Sequence, residues 1–486
     1  MLKINSPKSK PNKITQIFNQ ILIVILLITQ TYHNQAQADC ANQAQVNTKI
    51  QPCAPQLNDD NLIDNSDGDS CYKKLQHTRA PRKRTIMVYI AADNDLFYFA
   101  WNNIKQLAKG ANPNCNIIVF LNEPGIHKKT QIYLIEKNRA VLLNKDNKQK
   151  LDSGNPKTLI DFCTWVIQNF PADEYTLDLW NHGSGIDDRG YRTFNPSALF
   201  VLNPNNLMLD LDRSAYPFAT YDTETPRGIC FDETYKTYLD SQKLQYALDA
   251  ICNKALGGQK LAILGMDACL MAMLEICDLA ERYADILIAS QEVELGPGWR
   301  YDKILAPLEN NTLTRDDFAR HIVQVYHETY SKITKDYTLS AVELAKLGPI
   351  KRNVNEVAKL LIECLRHQSD NTIKATIDTC RNNIGFEEPS YIDLYSFYGN
   401  LLNNLERFKF QDSQKNRLKQ QLRQLLTEGQ IAVKAAVLAS TNGSNLTYAN
   451  GISIYFPRQK MLTSYQKTEF AQNNQWATFI AYFDII

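Results

Sequence analysis

Short apolar runs alternate with amphipathic stretches through the first half of the chain. Strands are predicted at 84–92, 115–121, 175–180, from Leu261 to about Asp267, and at 284–289. Helical spacing covers about 96–108, 156–169 and 241–256, and 131–135 with 140–143 reads as an appended hairpin. Strands alternating with helices imply a mostly parallel sheet covered on both faces, an α/β unit over 84–310. From 311 to 486 the pattern turns mainly helical, with helices at 314–332, 345–366, 391–408 and 414–438. Two apolar β runs interrupt it, 339–343 and 451–456, and the second is expected to join the same structure. The C-terminal region is thus expected to close on the first unit. No internal repeat is visible.

Three stretches lack such a period. Residues 1–38 carry four lysines, an apolar run at 21–28 and Ala36-Gln37-Ala38, the layout of a secretory signal peptide. About a dozen apolar residues fall short of the roughly 20 that span a bilayer, so an exported chain without a membrane anchor is expected. Residues 39–83 are polar and read as a linker or pro-segment, whose Asp64–Asp69 stretch misses calcium-loop spacing. Residues 186–238 form a long loop carrying Arg189, Arg192, Arg213 and Arg227, a natural region for proteolytic processing.

A formal net charge of +1 over 486 residues gives no reason to expect a nucleic-acid partner. Export would place the 11 cysteines in an oxidising setting, so some disulfides are expected, with at least one thiol left over. No C-x-x-C pair suggests a zinc site, and no cofactor is identified from the residues.

The run from Leu261 to Ile276 changes period near Gly265-Met266-Asp267, with Leu270, Met273, Leu274 and Cys277 at helical spacing. Cys269 is therefore expected where a strand ends and a helix begins, a position whose N–H groups and dipole stabilise a thiolate. Taken alone, a buried core cysteine is the commoner reading. A partner stands in Trp180-Asn-His182-Gly183-Ser184-Gly185, directly after another predicted strand. Such a Cys/His pair suits acyl transfer, with the N–H groups of Gly183 and Cys269 as candidate oxyanion donors. Asp267 either caps the helix or receives a substrate cation. A serine hydrolase would need a G-x-S-x-G elbow, which is missing.

The Asn181-His-Gly-Ser-Gly185 and Met266-Asp-Ala-Cys269 motifs resemble the clostripain family of cysteine peptidases. So do the loop from Ser290 to Trp299, the opening strand with Ala92-Asp-Asn-Asp95, and the run from Gly451 to Pro457. The resemblance implies a caspase-like α/β/α sandwich with a catalytic domain at 84–310 and a His182/Cys269 dyad cutting peptide bonds. It further implies Asp267 as a receptor for Arg or Lys before the scissile bond, and maturation by internal self-cleavage. Some members depend on calcium. One departure stands out: Leu295-Gly296-Pro297 occupies the place where basic-specific members carry a second acid. A catalytically inactive binding module with the same fold is the alternative from another class.

Overall fold

The computed structural model describes residues 63–64, 81–145, 149–186, 200–203, 206–211, 228–310, 313–411 and 415–486. The expected signal peptide and nearly all of 39–83 lie outside these residues. Among the described residues, ten strands build the central sheet: β1 Ile63–Asp64, β2 Arg82–Ile90, β3 Cys115–Leu121, β4 Gln131–Glu136, β5 Arg139–Leu142, β6 Ala172–Trp180, β7 Leu261–Asp267, β8 Ala284–Ala289, β9 Thr338–Glu343 and β10 Val437–Asn442. Their spatial order is β1-β5-β4-β3-β2-β6-β7-β8-β9-β10. The stretch β3-β2-β6-β7-β8 is parallel throughout. Strands β4, β9 and β10 add antiparallel pairings toward the margins.

Every residue of β3 and β7 is buried, which is why these strands read as unbroken apolar runs rather than alternating ones. Asn155 accepts a hydrogen bond from the Lys157 N–H, and Pro156 opens the helix Pro156–Asn169, fixing its start. Helices Phe97–Gly110, Tyr301–Leu305 and Arg315–Tyr330 pack in sequence on one another, and Pro156–Asn169, Ser241–Ala250 and Leu274–Ala280 form a second such series. The chain steps from β2 to β3 in one direction and from β6 through β7 to β8 in the other. The order therefore reverses between β2 and β6, where open α/β sheets place their ligand crevice.

The structure departs from the sequence expectations in several places. The helix after β7 starts at Leu274, not beside Cys269. Residues 268–273 instead form an irregular crossing in which Leu270 adopts φ +63°. The predicted helix 414–438 ends at Ala436, and Val437–Asn442 becomes an edge strand, because its backbone pairs antiparallel with β9. The 451–456 run does not enter the central sheet: Ser453–Tyr455 pairs with Tyr391–Asp393, the latter expected to be helical. That small sheet braces the 268–273 crossing, since Ser453 donates its N–H to the Ala272 carbonyl at 2.9 Å. The described parts of 186–238 contain two hairpins, Phe200–Leu202 with Leu209–Leu211 and Ile229–Asp232 with Thr237–Leu239. The expected disulfides are missing among the described cysteines: Cys115, Cys163, Cys230, Cys252, Cys269, Cys277, Cys364 and Cys380 are all free and buried.

Beyond β2, Asp93 pairs with Lys150 at 2.7 Å, with side-chain exposures of 1% and 3%. Burial raises the Asp93 carboxyl above its usual range, and Lys150 opposes that rise. Lys150→Met would leave this buried acid without its cation, which costs about 3–5 kcal/mol. A denaturant melt should show that loss; an unchanged midpoint would mean that the pair is not a stabilising contact.

Candidate active site

Three strands end level with one another. Trp180 of β6 stands opposite both Ile90 of β2 and Asp267 of β7. His182 and Cys269 each follow two residues beyond this line, and Asp95 lies in the turn after β2. Asn181 ties the ends together. Its N–H donates to the Asp267 carbonyl, its amide group donates to the Ala91 carbonyl, and its side-chain oxygen accepts from the Phe231 N–H at 2.8 Å. The backbone before His182 is thereby fixed at the point where strand order reverses.

His182, Cys269, Asp267 and Glu294 line one small cavity, together with Trp180 and Leu295 among others. Its volume of about 20 Å³ is room for a single water molecule, so a substrate side chain requires the walls to part.

The imidazole is held from one side. His182 Nε2 lies 2.6 Å from Asp95 Oδ1, while Nδ1 is buried and has no hydrogen-bond partner. A carboxylate only accepts, so Nε2 carries the proton and Nδ1 presents its lone pair. Asp95 was not singled out from the sequence as a site residue; its signal was the polar Asp93-Asn-Asp95 turn closing an apolar strand.

Cys269 Sγ accepts the Glu294 N–H at 3.2 Å and lies 3.8 Å from the Glu294 carbonyl. Burial pushes the thiol well above its ordinary range, and the nearby Glu294, Glu292 and Asp267 carboxyls add to the rise. The thiolate expected from a helix N-terminus is thus replaced by a neutral thiol, because the helix begins five residues further on. Gly183 packs so closely on the Cys269 carbonyl that a Cβ there would collide with it. Only glycine lets the two turns approach in this way.

The helix-cap reading of Asp267 is excluded by the late helix start. Its Oδ2 accepts from the Trp299 N–H at 2.9 Å and from the Tyr301 hydroxyl at 2.8 Å. The same hydroxyl lies 2.7 Å from Asp178 Oδ2. Burial raises Asp267 to about 6 and, with the Asp267 charge second, raises Asp178 to about 8. Oδ1 of Asp178 is buried without a hydrogen-bond partner, and the buried Glu294 carboxyl shares a hydrogen bond with the Asp267 carboxyl when one of the two is protonated. Glu292, the other acid of the loop, turns away and accepts from the Val293 and Glu387 N–H groups, each at 2.9 Å. Asp178 was overlooked in the sequence, although an aspartate inside the apolar strand Leu177-Asp-Leu-Trp180 was a visible anomaly.

Among the described residues, no group of three or more His, Cys, Asp and Glu side chains is arranged to hold a metal ion, and no helix is long and apolar enough to cross a membrane.

The sequence profile of the clostripain family, Peptidase_C11, matches residues 88–197 and 216–483. Clostripain of Hathewaya histolytica is 25% identical over 368 residues, covering 65% of this chain and 62% of that protein. The chain thus spans about three-fifths of that relative's length. A secreted C11 cysteine protease from Bacteroides thetaiotaomicron, solved with an irreversible peptide inhibitor, superposes with a TM-score of 0.51 at 16% identity, over 82% of this chain and 99% of that one. An inactive zymogen C11 protease from Parabacteroides distasonis gives 0.52 at 16% identity, over 83% and 99%. At these identities the likeness establishes the fold, the caspase-like α/β/α sandwich. With the profile matched over most of its length, this chain belongs to the clostripain family.

Proposed function

We propose that the chain is an exported cysteine endopeptidase in which Cys269 is the nucleophile and His182 the general acid/base. The observation that carries this reading is the meeting of both residues at one cavity, on adjacent parallel strand ends, with Asp95 on the far nitrogen of the imidazole. His182 Nδ1 takes the thiol proton as sulfur attacks the scissile carbonyl, so the charged pair forms with substrate in place rather than at rest. The N–H groups of Gly183 and Cys269 receive the oxyanion. The imidazolium then returns the proton to the leaving amine, and water releases the acyl group. Peptide substrates accord with the peptide inhibitor bound by the Bacteroides protein.

We further propose Arg or Lys at P1, received by Asp267, with Glu294 beside it supplying the acid missing from 295–297. Two buried carboxyls at the cavity, with no lysine or arginine paired to them among the described residues, support this. Export through residues 1–38 and self-cleavage within 186–238, after one of its arginines, complete the reading. Intact-mass spectra of active enzyme should show that cut, and an uncut active chain would remove it. Fluorogenic peptides ending in Arg, Lys or neutral residues test the specificity; faster release after neutral residues would sink the basic preference.

Asp95→Asn offers an amide N–H to Nε2 and turns the imidazole to its other tautomer, leaving Nδ1 protonated. We expect kcat to fall about 10²–10⁴-fold, the range of a lost general base. KM should change little, because Asp95 is not among the residues lining the cavity. An unchanged kcat would show that Asp95 does not set the tautomer.

A further inference from the structure

Along the cavity wall and just behind it lies a group of acids that the dyad does not use. Asp178, Asp267 and Glu294 are 3%, 5% and 5% exposed, and no ion pair to a lysine or arginine is found for them among the described residues. One hydroxyl, that of Tyr301, stands between Asp178 Oδ2 and Asp267 Oδ2. It has a single proton, so it can donate to only one carboxylate at a time; when it donates to Asp178, Asp267 Oδ2 is left with the Trp299 N–H alone. Two glycines make space for these groups. A Cβ at Gly265 would lie 2.8 Å from Asp178 Oδ1, and one at Gly298 would lie 2.6 Å from Asp267 Oδ2. The other titratable groups facing the cluster are the phenols Tyr326 and Tyr330 and the thiols Cys230 and Cys269, all uncharged when protonated, and His182 across the same cavity, whose Nε2 is held by Asp95. Arg300 acts on Tyr330, but pairs with Asp302 at 3.2 Å.

Three buried carboxyls in contact cannot all ionise without a counter-charge, because each anion loses hydration and repels the others. We propose that Asp178, Tyr301, Asp267 and Glu294 form a proton-holding cluster that discharges a proton to solvent when a cationic P1 side chain arrives. Asp178 acts in it as a positioning residue, through Tyr301, on the acid that touches substrate. The exchange balances: one carboxyl O–H breaks, its proton leaves to water, and the new carboxylate takes the guanidinium or ammonium as its partner. This rests on the basic-P1 reading and adds to it that cation capture costs a proton, so it strengthens as pH rises. The direction follows from the raised carboxyls, Asp267 at about 6 and Asp178 at about 8. Below that window the cation must displace a bound proton; above it the site is already charged. The sign reverses for the empty enzyme. Carboxyls raised on folding favour the native state below their unfolded values near 4, and that contribution fades as pH rises through 6 to 8.

The test compares two peptides that differ only at P1, arginine against citrulline, which keeps the shape and removes the charge. Their kcat/KM ratio, from pH 5 to 9, cancels every ionisation that both substrates share. If citrulline is not turned over, competitive inhibition constants replace it. The ratio should climb by up to about tenfold per pH unit through the 6–8 window and then level off, the limit for one released proton. Asp178→Asn should move the rise to lower pH. Tyr301→Phe, which removes only the bridging hydroxyl, should also displace it and serves if the first variant does not fold. A ratio above one that stays flat with pH would overturn the coupling and leave the basic preference standing. A ratio near one at every pH would overturn both.

Discussion

Cys269→Ala should lower peptide hydrolysis by about 10⁴–10⁶-fold in kcat, the scale of a lost nucleophile. No other thiol and no hydroxyl side chain is among the residues that line the cavity with Cys269. His182→Ala should fall by a similar factor, and the double variant should be little worse than either alone. Residues that act as one unit do not contribute additively. Thermal midpoints provide the control, because replacing one buried sulfur by hydrogen leaves the strand pairing of β7 intact. Wild-type turnover in Cys269→Ala would assign the nucleophile elsewhere. The binding-module alternative predicts something different: no measurable turnover in the wild type either.

The second large effect concerns Asp267→Asn. Removing one partner of a desolvated charge pair costs about 2–5 kcal/mol. At about 1.4 kcal/mol per tenfold, kcat/KM for an arginine peptide should drop roughly 30- to several-thousand-fold. The matched citrulline peptide should be affected far less. Stability should move the other way or not at all. In the empty enzyme Asp267 faces Glu294 and Asp178 rather than a cation, so a neutral isostere relieves repulsion. Activity lost with the melting temperature kept is the signature of a substrate acid. An equal loss on both peptides, together with a lower melting temperature, would make Asp267 a purely structural residue.

The sheet was largely legible from apolar runs, because parallel strands buried on both faces carry little else. Strands 115–121 and 284–289 and helix 156–169 lie where the pattern puts them. The failures have a common cause in spacing that tertiary contacts override. Leu270, Met273, Leu274 and Cys277 fit a helix, yet the first of them is held at positive φ while its N–H donates to the Glu292 carbonyl. Val437 and Leu438 fall in the predicted helix 414–438 and are claimed instead by the pairing with β9. At the site, His182 and Cys269 could be placed because both follow strands, and adjacent strand ends bring neighbours together. Asp95 and Asp178 could not, since their importance lies in who faces whom: an imidazole nitrogen and a shared phenol. Sequence spacing does not reveal such meetings across strands β2, β6 and β7.

The proposed mechanism requires Cys269 to be the reactive thiol, activated by His182 and reached by a cationic P1 group. An irreversible peptide probe ending in arginine, followed by peptide mapping, tests all three at once. Of the eight described free cysteines, only Cys269 lines the cavity. We predict one adduct per chain, on Cys269, slowed in Asp267→Asn and nearly abolished in His182→Ala. A chain that cuts peptides while its adduct maps to another cysteine, or to none, would contradict the account.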